Sequence, residues 1–322
     1  MTTLNSLTAQ ALTTTGAGEI PAPLLIILAL LPAVTLGVVV YRHDRNEPEP
    51  IGLLLKLAGL GALSGLAAVI IELAGSVVSL LASLLLGTIG YIVVDNLIVG
   101  LAEEGVKLAI VKRYGFNDSN FSHTFDGIVY AACVTLGFAA FENVFYVLDG
   151  GVETAITRAL VAVPGHLCYG IIMGMYVSRA KAASAQGDHE GYKSALKNAL
   201  LLPALLHAAD DALLDFVGIV DVDLIDFLLI MMWICLVLAE YVLGFVILRS
   251  ESKRDAPIVF AETPSEQGVP QAQQTLSSAV EERPTPPQTQ QTQAPAPSAQ
   301  EPQAQQAPPV QKQQTPPPPP MA

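Results

Sequence analysis

Residues 97–111 read LIVGLAEEGVKLAIV. The run is apolar enough to enter a bilayer, except that Glu103, Glu104 and Lys107 stand inside it. An ionisable residue at the centre of a membrane helix costs roughly 2.5–3.5 kcal/mol on insertion scales, so three of them demand partners, water or a chemical purpose. Glu103 and Lys107 are four residues apart with the glutamate first, the favourable order for a pair on one helix face. Glu104 lies about 100° round the helix from Glu103 and is left for another task.

The surroundings set the class. The chain has 322 residues, of which 52% are hydrophobic and only 14% charged, and several of its apolar stretches reach the roughly 20 residues needed to cross a bilayer. This predicts an all-α, polytopic membrane helix bundle. The net charge of -13 offers no basis for binding nucleic acid. Cys133, Cys168 and Cys235 fall in separate apolar segments, without the spacing of a disulfide framework or a zinc ribbon, and read as packing residues.

Basic residues orient the spans. Residues 1–19 are polar and lack Lys and Arg, whereas Arg42 and Arg45 follow the first apolar run; a first helix at 21–41 with its N-terminus outside is expected. A second helix is expected at 51–72, with Lys56 snorkelling to the inner side. Residues 76–111 are too long for one straight crossing, and Lys112 and Arg113 mark their far end as cytoplasmic. An interfacial or bent first part followed by a crossing helix at 91–111 satisfies both. Further helices are expected at 124–147, 155–178, 195–217 and 226–249. The loop at 179–197 carries Arg179, Lys181, Lys193 and Lys197, while 148–157 and 218–226 carry only acids. About seven transmembrane helices result, in a plasma-membrane domain spanning 20–250 with the C-terminus in the cytoplasm. Residues 251–322, rich in Pro and Gln, predict a disordered cytoplasmic tail, either a solvated spacer or a docking segment for a proline-reading partner.

Other polar groups interrupt the spans. Phe138, Glu142 and Asn143 follow one another within a turn or so, and Asp126 opens the same helix where its charge favours the helix N-terminus. His166 follows Pro164 and Gly165, and His207 stands four residues after Pro203 and four before Asp211, so that His207 and Asp211 share a face. Two intramembrane histidines on consecutive helices, with carboxylates on two others, predict an active or binding site. His43, His123 and His189 fall in loops and carry no special signal. Asp210 and Asp215 suit an outer mouth, Glu240 a packing or capping role, and the Gly61/Gly65 and Gly170/Gly174 spacings close helix contact.

Taken in order, Glu103-Glu104-x-x-Lys107, Phe138-x-x-x-Glu142-Asn143, His166 and His207-x-x-x-Asp211 resemble the PrsW family of intramembrane proteases, a group related to the CAAX prenyl endopeptidases. The words FDGIVYAACVTLGFAAFEN, PGHLCYGIIMGMY and LLPALLHAADDALLDF carry the likeness, which covers about residues 91–217. It implies hydrolysis of a peptide bond in or near the transmembrane segment of a membrane protein, such as an anti-sigma factor in stress signalling. It also implies catalytic roles for Glu103, Glu104, Glu142, His166 and His207, with Lys107, Phe138, Asn143 and Asp211 in support. The CAAX-cleaving relatives carry Arg and His where this chain has Lys107 and Glu142, which argues against prenylated substrates.

Two mechanisms follow. In the preferred one, which needs no cofactor, Glu104 activates water, His166 and His207 stabilise the oxyanion and protonate the leaving amine, Asp211 orients His207, and Lys107 holds Glu103. In the alternative, zinc sits on Glu104, His166 and His207 with water in the fourth position. The partners expected are a client with a transmembrane helix and the lipid bilayer. The same titratable groups would also suit a proton-coupled transporter or channel, and a non-catalytic membrane scaffold would need none of them.

Overall fold

The computed structural model describes residues 20–219 and 222–261. Among them the regular structure is helical, apart from an isolated bridge between His123 and Pro257. Helix α1 spans Ala22–His43, opens with proline in its first turn, where a missing N–H costs nothing, and closes on Arg42 and His43. Then come α2 (Ile51–Ile110), a π-helical turn at Val111–Gly115, α3 (Asp126–Leu160), α4 (Ala162–Ala185), α5 (His189–Asp215) and α6 (Asp223–Arg254).

Two of these helices are hairpins. Gly87 in α2 has φ 66° and ψ -158°, and Gly151 in α3 has φ 69° and ψ -154°, a region open to glycine and strained for residues with a Cβ. The chain doubles back at both. Gly75 lies against Ile98, a pair that a continuous helix would hold about 35 Å apart. Arg158 reaches Glu142 at 3.2 Å across what would otherwise be about 24 Å of helix.

The hairpin at Gly87 corrects the expected spans. The helix starting at Ile51 does not stop near 72, and no separate interfacial segment follows; residues 51–86 form one helical arm and 88–110 the other. The apolar run alone gave no reason to break at one glycine rather than another, since Gly87, Gly90 and Gly100 all stand in it. Four stretches are long and apolar enough to cross a membrane: Ala22–His43, Ile51–Gly115, Asp126–Ala185 and Asp223–Arg254. Helix α5, which carries His207, Asp210 and Asp211, is the polar exception among the long helices.

Helix α3 is the hub. Its residues Ile128, Val129, Tyr130, Ala131 and Val134 are all buried, as expected of a helix apolar on every side. Small residues let the backbones meet: Gly61 lies against the Val134 backbone, Gly137 against that of Ala58, and Gly174 against Gly127 and Ile128. The expected close contacts at Gly61 and Gly174 are therefore present.

At the end of the bundle where α1 stops, the chain beyond α6 straps across the loop before α3. Asp255 accepts hydrogen bonds from the Phe125 N–H at 2.9 Å and the Asn46 side chain at 3.0 Å, and the Ile258 N–H donates to the Ser122 carbonyl at 2.7 Å. Residues 251–261, which composition assigned to the tail, are thus packed on the bundle among the described residues. The expectations for residues 1–19 and for the rest of the tail lie outside the described residues. Asp44 and Glu49, in the connection between α1 and α2, are buried at this same end. Burial pushes the Asp44 carboxyl up to about 6 and that of Glu49 to about 8.

Candidate active site

The second arm of α2 brings three charges to one place. Lys107 is fully buried, and its Nζ lies 2.8 Å from Glu104 Oε1 and 3.0 Å from Glu103 Oε2. It also approaches His166 Nδ1 at 3.3 Å and stands 3.9 Å above the Phe138 ring. The expected Glu103–Lys107 pair is present, but Glu104 is not left over: it is the nearer partner. Burying an ammonium is costly unless several acceptors surround it, and this ring of acceptors supplies them.

Each histidine comes from its own helix and is held at both ends. His166, on α4, has Nε2 2.9 Å from Glu142 Oε2 on α3. His207, on α5, has Nδ1 3.2 Å from Glu104 Oε1 and Nε2 3.4 Å from Asp211 Oδ2, so the shared face read from the sequence is a real contact. The two rings are 5.2 Å apart and nearly perpendicular. The sequence-predicted residues Glu103, Glu104, Lys107, Phe138, Glu142, His166, His207 and Asp211 therefore converge.

Asn143 stands beside Glu142 on α3. It is fully buried, donates to the Ala29 carbonyl of α1 at 2.7 Å and accepts from Arg158 Nε at 2.7 Å, so it braces rather than lines the site. Glu240 is buried beside the Tyr169 hydroxyl, which also lies 3.3 Å from Asp210.

A cavity of about 610 Å³ opens beside the cluster. Glu103, Glu142, His166, His207 and Asp211 form its inner wall, with Asp210, Asp215 and Trp233 further along. Glu104 does not line it, and with no exposed surface lies behind Glu103. One Glu104 oxygen, Oε2, is buried without a hydrogen-bond partner.

Of the cavity residues that escaped the sequence reading, three stand close to the charged cluster. Glu72 lines the cavity from within an arm that runs on to residue 86, whereas the helix expected from the sequence ended at 72. Arg158 is the only Lys or Arg between Thr124 and Ser178, a signal that was available. Tyr169, stacked 5.1 Å from His207, is indistinguishable in sequence from a core aromatic.

The donor set suits a metal in type and spacing. Glu103, Glu104, His166 and His207 each offer an atom, all within 4.8 Å of one another, and carboxylates with imidazoles are zinc ligands. Both histidines also turn one nitrogen to a carboxylate and the other inward, the support that metal-bound histidines use. The cation among these donors in the structure is the Lys107 ammonium.

Comparison with known proteins gives the family. The family described as PrsW family intramembrane metalloprotease matches over residues 49–239. The protein named Protease PrsW from Geobacillus kaustophilus is 35% identical over 190 residues, covering 59% of this chain and 79% of the relative. That of Bacillus subtilis is 31% identical over 190 residues, covering 59% and 82%, and that of Clostridioides difficile 31% over 194 residues, covering 59% and 79%. No solved structure matches the chain.

Proposed function

The chain belongs to the PrsW family and is an intramembrane protease, and from that premise we propose that it cuts its client in the cavity walled by Glu103, His166 and His207. One observation carries the assignment of the site: three helical segments far apart in sequence bring two glutamates, two histidines and a lysine into mutual contact beside that cavity.

The proposed chemistry assigns water activation to Glu103 rather than Glu104. A general base must reach a water in the substrate's space, and Glu103 lines the cavity whereas Glu104 lies behind it. Glu104 instead anchors Lys107 and the Nδ1 edge of His207. His166 and His207 flank Glu103, so they are placed to hydrogen-bond the developing oxyanion and to protonate the leaving amine. Glu142 and Asp211, each bonded to the outer nitrogen of one histidine, set their ring orientations. Were zinc bound, Glu104, His166 and His207 would hold it with a position left for water, and it would supply Lewis acidity to the scissile carbonyl and to that water, with Glu103 beside it.

The protein is a multi-pass membrane protein, and we propose seven crossings: α1, both arms of α2, both arms of the α3–α4 hairpin, α5 and α6. Arg42, Lys112, Arg179 and Arg254 all fall at one end of this arrangement, which makes it cytoplasmic, places the N-terminus outside and the C-terminus inside, and suits the plasma membrane. The protease domain then spans 20–261, and the Pro/Gln-rich tail is a cytoplasmic appendage open to a proline-reading partner. The client is a membrane protein with a transmembrane helix, and a membrane-spanning anti-sigma factor fits that description.

The test is a comparison of membrane proteomes from cells expressing the intact protein or the Glu103→Gln variant at equal levels. Fragments with new termini in or near transmembrane segments should appear only with the intact protein. Identical proteomes under an applied stress, with both proteins folded, would overturn the assignment of Glu103.

A further inference from the structure

We propose that Arg158 is a positioning residue of the proteolytic site, acting through Glu142 on His166; this rests on the site assignment above. Arg158 stands on the short arm that follows the Gly151 reversal, and that reversal alone brings it beside Glu142. Its location is unusual for a basic residue. It lies at the end of the bundle opposite Arg42 and Arg179, where membrane proteins carry few Lys and Arg, and its side chain is only 16% exposed.

The guanidinium is held on three sides. Nε donates to Asn143 Oδ1 at 2.7 Å, Nη2 donates to Glu142 Oε2 at 3.2 Å, and the plane lies 4.1 Å above the Tyr146 ring. Asn143 is itself tied to α1 through the Ala29 carbonyl. An arginine fork spanning two adjacent side chains defines direction as well as charge, which a lysine cannot reproduce. The oxygen it grips, Glu142 Oε2, is the one 2.9 Å from His166 Nε2. With the Nε2 proton directed to that carboxylate, His166 turns Nδ1 towards Lys107, 3.3 Å away. Arg158 therefore supplies the counter-charge and the aim of the group that aims the histidine.

A staple between helices would explain burial equally well, so the test separates the two roles. Membranes are isolated from cells expressing each variant, their own membrane proteins serve as substrate, and the rate at which new termini form is read. Arg158→Ala should slow release about 10- to 100-fold, the usual loss when a partner of a site histidine is removed. Added guanidinium ion should restore part of that rate, because Arg158 lines the open cavity. Arg158→Lys should remain slow while accumulating normally. In a Glu142→Gln background, Arg158→Ala should cost nothing further, because the two act as one unit.

A rate for Arg158→Ala within about threefold of the intact protein would overturn the proposal, as would losses from the two substitutions that simply multiply. If Arg158→Ala fails to accumulate, Arg158→Lys decides: full activity overturns the positioning role, and slow cleavage by a well-accumulated protein supports it. Glu103→Gln runs alongside. If that variant cleaves normally, the site assignment itself fails, and the Arg158 proposal falls with it.

Discussion

Lys107 Nζ and Glu104 Oε1 lie 2.8 Å apart with neither side chain exposed, and the neighbouring Glu103 shares the same ammonium while facing the cavity. Two adjacent glutamates thus have different surroundings, and replacing each should have a different consequence. Glu103→Gln should reduce cleavage about 100-fold or more with little change in thermal stability. Glu104→Gln should destabilise the protein by roughly 3 kcal/mol, since it weakens the compensation of a buried charge. Paired measurements of cleavage rate and unfolding midpoint check this, and equal unfolding midpoints for the two variants would contradict it.

A metal ion on this donor set would compete with Lys107 for the same acceptors. Lys107→Met keeps the bulk and removes the charge, so it should raise zinc affinity by roughly two orders of magnitude, the equivalent of about 3 kcal/mol. Zinc content of the purified proteins after dialysis against graded free zinc is the readout, independent of activity. A variant that holds less zinc than the intact protein would show that Lys107 assists the ion instead.

The buried acids between α1 and α2 make stability depend on pH. Glu49 has a carboxyl raised from 4.5 to about 8 by burial, so the folded state binds its proton more tightly than the unfolded state does. The stability it contributes is complete below about pH 4.5 and is lost as the pH rises through about 8. The unfolding midpoint in detergent should therefore fall between about pH 5 and about pH 9, and Glu49→Gln should flatten that fall. An unchanged slope in the variant would remove Glu49 as the cause.

Helix contact through bare glycine is tested by position. A methyl on Gly137 would meet the Ala58 backbone carbonyl, whereas one on Gly59 meets nothing within 4 Å. Gly137→Ala should cost about 1–3 kcal/mol by overpacking, while Gly59→Ala should be neutral or stabilise by up to about 1 kcal/mol through helix propensity. Unfolding of the two variants side by side gives the comparison.

Much of the site was legible because charge in an apolar run is expensive and therefore conspicuous. Glu103, Glu104, Lys107, Glu142, His166 and His207 each broke a hydrophobic pattern, and helical spacing alone paired His207 with Asp211. What stayed hidden depended on where the chain turns. Gly87 reverses α2 without any polar loop to announce it, so nothing in the sequence carried Glu72 to the cavity; the turn at Gly151 falls within the expected loop at 148–157, but helix spacing could not show that it lays Arg158 beside Glu142. The division of labour between Glu103 and Glu104 was equally out of reach: a helix face says which residues are neighbours, but depth in the bundle decides which one meets water.

The long first arm of the α2 hairpin has a consequence for the lipid. Residues 51–86 extend about 54 Å, against roughly 30 Å for a bilayer's hydrocarbon core. Leu84, Leu85 and Leu86 at its tip are among the most exposed apolar side chains of the protein, so the arm has greasy surface to cover along its whole length. Hydrophobic mismatch of this size is relieved by tilting the arm or by thickening the membrane around it. Glu72 sits on that same arm, at the cavity wall, so a tilt imposed by the thickness of the surrounding bilayer would be felt in the shape of the chamber proposed for cleavage.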